Sequence, residues 1–373
     1  MESTCSRLLE YCLRGEEWPP ELLDQAIAID DGRVLLSVVV ERLADLFEPS
    51  LCRTYEALFT RVIERVAPEL GARIREGPGA HSPPRSVQRV YVLSRVTLGA
   101  DVAVTSVLLD TAKKRYPEAE IVFVGPQKSY ELFEADPRVK HCPAPYARGG
   151  SLAERLRASA SLWFDDGIVI DPDSRLSQLG LISVCGEERY FWFQSRSYGG
   201  DGEVRLPDLA SQWAREIFSV TGARSYVAPK PASGVTAQIT VSLGTGDNSQ
   251  KGLGRDFEKR LLSLLAGTGK SVLIDMGGSA EERTRVENAL VPGIHTHDGS
   301  FASFASHIQR SELYVGYDSS GGHVASAGGI PLISIFTGEA SERMFQRWRP
   351  NGNVIRSNFL AEVERALTYT FRR

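Results

Sequence analysis

Tyr314-Val-Gly-Tyr-Asp-Ser-Ser-Gly-Gly-His-Val-Ala-Ser-Ala-Gly-Gly-Ile-Pro331 begins as a short apolar strand and turns at an aspartate and two serines. It continues as a stretch with helical character that closes on a Gly pair and a proline. A strand feeding a helix through small residues is half of a βαβ unit, and the strand Pro331-Leu-Ile-Ser-Ile-Phe336 completes it. The same alternation surrounds this segment. Gln238-Ile-Thr-Val-Ser-Leu243 and Ser271-Val-Leu-Ile-Asp275 read as strands, and Asp256–Ala266 and Ala302–Arg310 as helices.

Further upstream the pattern repeats. Val90-Tyr-Val-Leu-Ser94, Glu120-Ile-Val-Phe-Val-Gly125 and Gly167-Ile-Val-Ile-Asp171 read as strands, with Val102–Tyr116 as a helix between the first two. Before residue 76 the apolar residues fall three and four apart, in Ser6–Leu13, Pro20–Ala28, Val34–Phe47 and Tyr55–Val66, so that part reads as helices alone. The Gly- and Pro-rich stretches 76–85 and 227–234 punctuate the chain. The expected organisation is a helical extension over 1–76, a Rossmann-like unit over 86–226 and a second over 235–373. The fold class is α/β: two doubly wound units facing each other across a cleft, preceded by a small helical piece.

The 373 residues exceed two domains of about 150. A charged fraction of 24% and a hydrophobic fraction of 42% exclude a mainly disordered chain, and a net charge of −4 gives no global field for nucleic acid. Cys5, Cys12, Cys52, Cys142 and Cys185 are scattered and contain no C-x-x-C pair, which argues against a disulfide framework or a structural zinc site. The longest apolar run, Val34–Val40, is far short of the roughly 20 residues of a membrane helix. No basic-then-apolar leader opens the sequence. A cytoplasmic protein is expected, with peripheral membrane contact left open.

Three turns after strands carry the candidate chemistry. At Asp318-Ser-Ser-Gly-Gly-His323 the N–H groups of a helix start and its dipole favour an anion, and His323 can donate to phosphate; Asp318 and Ser319 either bind a ligand hydroxyl or cap the helix. Ser242-Leu-Gly-Thr-Gly-Asp-Asn-Ser-Gln-Lys-Gly-Leu-Gly254 is either a mobile surface loop or a donor loop presenting Thr245 and Lys251 to a diphosphate. Asp101, in Leu98-Gly-Ala-Asp-Val-Ala-Val-Thr105, is expected at the lip of the cleft, either as a general base or as a helix cap. Other motifs fail on inspection. Gly267-Thr-Gly-Lys-Ser271 leads from helix to strand, the wrong order for a P-loop, and has Leu264 where the first glycine belongs. His295-Thr-His-Asp298 lacks companion ligands, and Asp171-Pro-Asp173 is explained by a prolyl turn.

Together these turns resemble glycosyltransferase family 9, the ADP-heptose:lipopolysaccharide heptosyltransferase family, which has a GT-B fold of two Rossmann-type domains. Asp318, Ser319, His323, Ala325, Ala327, Gly329 and Pro331 match its C-terminal signature in register. Ala100-Asp101 through Thr105 to Tyr116-Pro-Glu-Ala-Glu-Ile121 is similar to its N-terminal one, and Ser300-Phe-Ala-Ser-Phe-Ala305 to a third segment. The resemblance spans about residues 88–360. It implies inverting transfer of a sugar, heptose in the family, from a nucleotide-diphosphate donor (ADP-sugar favoured) to a bacterial saccharide or glycolipid hydroxyl. Asp101 would be the base, and Thr245, Lys251, Asp318, Ser319, Gly321 and His323 would hold the donor diphosphate. Glu281 would read the nucleoside, and neither a metal nor a resident cofactor would be needed. Arg175, Arg196 and Tyr198 lie in the unit that binds acceptor in this fold. The sequence departs from the family at Ala100, Ser320 and Gly321, and in a longer 245–251 loop. A non-catalytic nucleotide-sugar binder acting through its helical part, and a protein glycosyltransferase, are the alternatives.

Overall fold

The computed structural model describes residues 2–371 except 76, 78, 80, 145, 147–148, 246–251, 338–340 and 358. Its framework is two wholly parallel sheets. In the first, β1 (Arg89–Leu93), β2 (Glu120–Gly125), β3 (Val139–Pro143), β4 (Ile168–Asp171) and β5 (Tyr190–Trp192) are ordered 3-2-1-4-5. In the second, β6 (Ile239–Ser242), β7 (Val272–Asp275), β8 (Ile294–His297), β9 (Leu313–Tyr317), β10 (Leu332–Phe336) and β11 (Asn353–Arg356) are ordered 11-10-9-6-7-8. Central strands are buried on both faces because crossover helices cover both sides, as the all-buried Ile-Thr-Val-Ser of β6 shows. Each sheet reverses its strand order once, between β1 and β4 and between β6 and β9. In such sheets ligands bind beyond the strand C-termini at that reversal.

The seven strands expected from the sequence are all present. β3, β5, β8 and β11 were not expected, and every one of them is a sheet edge. The helix expected from Val102 starts earlier, at Leu98, and passes through a π-helical turn over Asp101–Thr105 before continuing as Ser106–Arg115. Among the described residues no helix is long and apolar enough to cross a membrane.

One apolar cluster passes from Val90, Val92 and Phe123 of the first sheet through Val102, Val104 and Leu108 to Phe304, Val324 and Ala325 of the second half. Polar clamps reinforce it. The guanidinium of Arg347 is wholly buried and donates to the carbonyls of Val204 (3.2 Å) and Gly200 (2.9 Å), while Arg343 pairs with Asp201 at 2.9 Å.

The N-terminal helices pack onto the first sheet's unit. Leu8, Leu23, Leu36, Val39, Leu58, Phe59 and Ile63 share a core with Leu152 and Leu156 of the helix Leu152–Ala160 and with Ile182. Backbone bonds from Arg75 N to Leu181 O (2.9 Å) and from Ser183 N to Arg73 O (2.8 Å) stitch the two parts together. Arg73 itself donates to the carbonyls of Ala160 (2.6 Å) and Leu162 (2.7 Å). Because this core is common property, Ile63→Ala and Leu156→Ala should each cost about 2–5 kcal/mol. Urea titrations should show the helices and the first sheet melting in a single step in both variants. Two separate transitions would contradict a shared core.

Candidate functional site

The second sheet's reversal brings the turns after β6 and β9 side by side. The helix Ser320–Gly328 starts at the β9 turn with Ser319 as its cap residue in extended conformation, and the Ser319 side chain does not cap the first-turn amides. Asp318 and Ser319 stand half-buried at the strand end. Gly321 is buried because Tyr314 lies under it: a Cβ there would meet the Tyr314 hydroxyl at 2.3 Å. A side chain would therefore lift the turn off the sheet. That accounts for a glycine where the family signature has a proline.

Thr245 is buried after β6. Its N–H donates to Glu282 Oε1 at 3.0 Å, and Arg285 reaches its hydroxyl at 3.4 Å. Glu282 Oε2 also accepts from Gly278 N at 3.0 Å, and Gly277, at φ +88°, leaves room for the glutamate's own Cβ. The sequence reading named Glu281 for the nucleoside. Glu281 is exposed on the outer face of the helix Ala280–Ala289, and Glu282 is the carboxylate turned toward Thr245. Helical geometry decides it, since adjacent residues point about 100° apart. Lys251 lies outside the described residues.

Across the cleft, the first sheet's reversal carries Ser94-Arg-Val-Thr97 after β1 and Pro172-Asp-Ser-Arg175 after β4. Asp101 is not at the lip of the cleft, as its place in the sequence suggested. It is wholly buried, accepting from Ser94 Oγ (2.7 Å), Arg95 N (2.7 Å) and Thr105 Oγ1 (2.8 Å). Burial pushes its pKa upward despite those bonds. The π-helical turn, a feature frequent at functional sites, folds the carboxylate under the loop. Val96 in the same loop has φ +60°, a strained conformation for a β-branched residue worth about 1–3 kcal/mol.

Arg175 and Arg196 do converge, and with them comes Arg95, which sequence reading missed. The three line a cavity of about 160 Å³ with Glu41, Asp45, Thr97, Tyr146 and Trp348. Tyr198 is turned away, bonding Glu216. Arg95 is 4% exposed; it donates to Pro172 O at 3.1 Å and to Ser195, and has no carboxylate partner among the described residues. Burial and the nearby Arg196 depress its guanidinium pKa to about 9, only partly offset by Asp173 and Asp45. A strand-end arginine facing a Gly-x-Asp-like turn was the one available signal for it.

The two faces touch. A Cβ on Gly99 would meet His323 Cδ2 at 3.2 Å and Ser320 Oγ at 3.4 Å, so the β1 turn rests on the first turn of Ser320–Gly328. Trp348 closes the junction, its ring edge-on to His323 (5.7 Å) and to Phe47 of the helical segment (5.8 Å), with Arg95 at 5.7 Å. A larger cavity, about 520 Å³, opens on the far flank of the same helix beside Arg205 and Arg224. It reaches His323 but not Asp101, Thr245 or Asp318.

Among the described residues no group of three His, Cys, Asp or Glu side chains is placed to hold a metal. His297 pairs with Asp275 (3.1 Å) and Ser303 (3.1 Å), while His295 faces outward on β8. Asp171 and Asp173 serve the loop: Asp173 accepts from Trp192 Nε1 (2.8 Å) and Arg196 N (2.9 Å), and Asp171 from Ser174 N (2.6 Å), Ser177 and Tyr190.

No protein-family model matches the chain, and no curated protein matches it by sequence. Solved structures share its fold. Escherichia coli heptosyltransferase WaaC with ADP-2-deoxy-2-fluoro heptose aligns at TM-score 0.57 and 15% identity over 76% of this chain and 99% of that one. E. coli ADP-heptose lipopolysaccharide heptosyltransferase II gives 0.54 and 16% over 76% and 98%. A family-9 glycosyltransferase from Veillonella parvula gives 0.53 and 15% over 78% and 91%. The chain therefore has the GT-B architecture of these enzymes.

Burial raises the Asp171 pKa from 3.8 to about 6. The folded protein then binds the extra proton between those values, so this group's contribution to stability is greatest at low pH and falls as pH rises. From pH 4 to 6 the loss is about 2 kcal/mol. Asp171→Asn should remove that slope from stability measured by urea titration at pH 4, 5 and 6. An unchanged slope would contradict the assignment.

Proposed function

We propose that this protein is an inverting glycosyltransferase that moves a sugar from a nucleotide-diphosphate donor, an ADP-heptose-type sugar, onto a saccharide or glycolipid hydroxyl. The observation that carries the reading is the contact at Gly99. It joins the two strand-order reversals, so a donor diphosphate at the helix start and an acceptor in the arginine-lined cavity would share one reaction space. One fold relative, a heptosyltransferase described with an ADP-sugar analogue, supports this choice of donor.

In this reading the first-turn amides of Ser320–Gly328 and His323 take the negative charge that develops as the diphosphate departs. Asp318, Ser319 and Gly321 shape that turn. Thr245 with Glu282 lies toward the nucleoside, and Lys251 belongs to the same loop. No metal is required for charge neutralisation of this kind. The acceptor oxygen attacks the anomeric carbon, the diphosphate leaves from the opposite face, and the hydroxyl proton passes to Asp101. A carboxylate with a raised pKa suits that step. With the helix seated on Gly99 the carboxylate is covered, so turnover by this route needs the sheets to part.

The complete burial of Asp101 favours a second reading, in which it only braces the β1 turn and the protein binds nucleotide sugar without transferring it. Titration with ADP, UDP and GDP, followed by turnover of ADP-heptose, separates the two. ADP should bind selectively, His323→Ala should weaken it about tenfold, and Asp101→Asn should cut turnover by at least about a hundredfold while leaving ADP affinity unchanged. Selective binding with no turnover by the wild type would establish the second reading. Absence of binding to any of the three nucleotides would defeat both.

A further inference from the structure

The cavity beyond the first sheet has a third wall that the GT-B core does not supply. Asp45 closes the helix Glu41–Asp45 of the N-terminal segment and projects onto the arginines. One of its oxygens meets Arg196 Nη2 at 3.3 Å and the other meets Arg175 Nη2 at 3.1 Å. Glu41 takes the remaining side of Arg175 at 3.0 Å and also pairs with Arg155 at 3.2 Å. Burial disfavours a charged Asp45, but Arg175, Arg196 and Arg95 together outweigh it and hold its pKa below the usual carboxylate range.

The balance is incomplete in a specific way. A carboxylate has two oxygens, and Asp45 spends one on each of two guanidiniums. Among the described residues Arg95, the third, is buried with only neutral acceptors, and Arg196, which Asp173 also faces at 3.7 Å, has its Nε buried with no partner. A buried cation that Asp173 and Asp45 offset only partly, with neither in direct contact, is costly, and the cost is recovered when an anion reaches it. A phosphate monoester has one oxygen more than a carboxylate, and with it could engage all three arginines.

We propose that Asp45 is an internal stand-in for a phosphate group on the acceptor, and that this phosphate displaces Asp45 from Arg175 and Arg196 while also engaging Arg95. The helical segment thereby screens acceptors: a neutral saccharide cannot displace Asp45, and a phosphorylated one can. The proposal rests on the acceptor reading of this cavity, but its test does not use transfer.

The probes are inorganic phosphate, glucose 6-phosphate, glucose and acetate, titrated at constant ionic strength into the full-length wild type, Asp45→Asn and Arg95→Gln. Phosphate should bind Asp45→Asn at least about tenfold more tightly than wild type and Arg95→Gln at least about tenfold more weakly, the weight of one charge-assisted hydrogen bond. Glucose 6-phosphate should compete with phosphate, and glucose should not. Equal phosphate affinity across the three proteins would overturn the proposal, as would acetate binding Asp45→Asn as well as phosphate does. Melting supplies a second readout should Asp45→Asn fold poorly. In phosphate-free buffer Arg95→Gln should melt at or above the wild-type temperature, since it removes an incompletely compensated buried charge, and phosphate should stabilise Arg95→Gln less than the wild type. An Arg95→Gln that melts well below wild type would make Arg95 a structural arginine and end the argument. Phosphate binding as described, in a protein that transfers no sugar, would instead leave this site standing and remove the transferase reading.

Discussion

Everything at the centre of this molecule depends on how closely the first turn of Ser320–Gly328 approaches the β1 turn, and that approach depends on Gly99. With no side chain there, His323 and Ser320 settle within van der Waals distance of the backbone. The separation is small enough that a methyl group would already press on the imidazole. From that contact follow the burial of Asp101 on one side, the burial of Gly321, Gly322 and His323 at the helix start on the other, and the position of Trp348 between them. The apolar cluster from Val104 to Val324 holds the two sheets in this relation, and the buried Arg347 fixes the outer edge.

The central strands and the overall class were legible because parallel strands buried on both faces write themselves as unbroken apolar runs. The four edge strands were not. β8 is Ile-His-Thr-His with only His297 fully buried, and β3 buries only Val139 of its five residues. A strand with one sheltered side has no such run to display. The same limit applied to the site. Asp318, His323 and Thr245 lie just beyond strands and could be placed at the sheet reversal from that position, and Arg175 and Arg196 come together from the turns after β4 and β5. Glu282, which bonds the Thr245 amide, was not singled out because a helix start has no local sign for which of two acids faces inward. Arg95 escaped notice because its partners, Pro172 and Ser195, are distant in sequence. Asp101 was placed at the lip of the cleft because nothing local announces a π-helical turn.

The helical segment is the least family-like part of the chain and the most consequential addition to the fold. Its core is continuous with Leu152, Leu156 and Ile182, so it is built into the first unit rather than tethered to it. By standing Glu41 and Asp45 against the arginines and Phe47 against Trp348, it contributes to the same junction that brings the two sheets together. An acceptor entering the cavity would meet residues from all three parts of the protein. Specificity would then reside in a segment whose sequence owes little to the GT-B core.

The most direct test of the central claim is a crystal structure of the protein with ADP bound, read for the distances between diphosphate oxygens and the amide nitrogens of residues 320–322. The account predicts at least two such distances of about 3 Å, with the terminal phosphate directed toward Gly99 and the arginine cavity. A diphosphate held elsewhere, with the helix start empty and still sealed against the β1 turn, would contradict it.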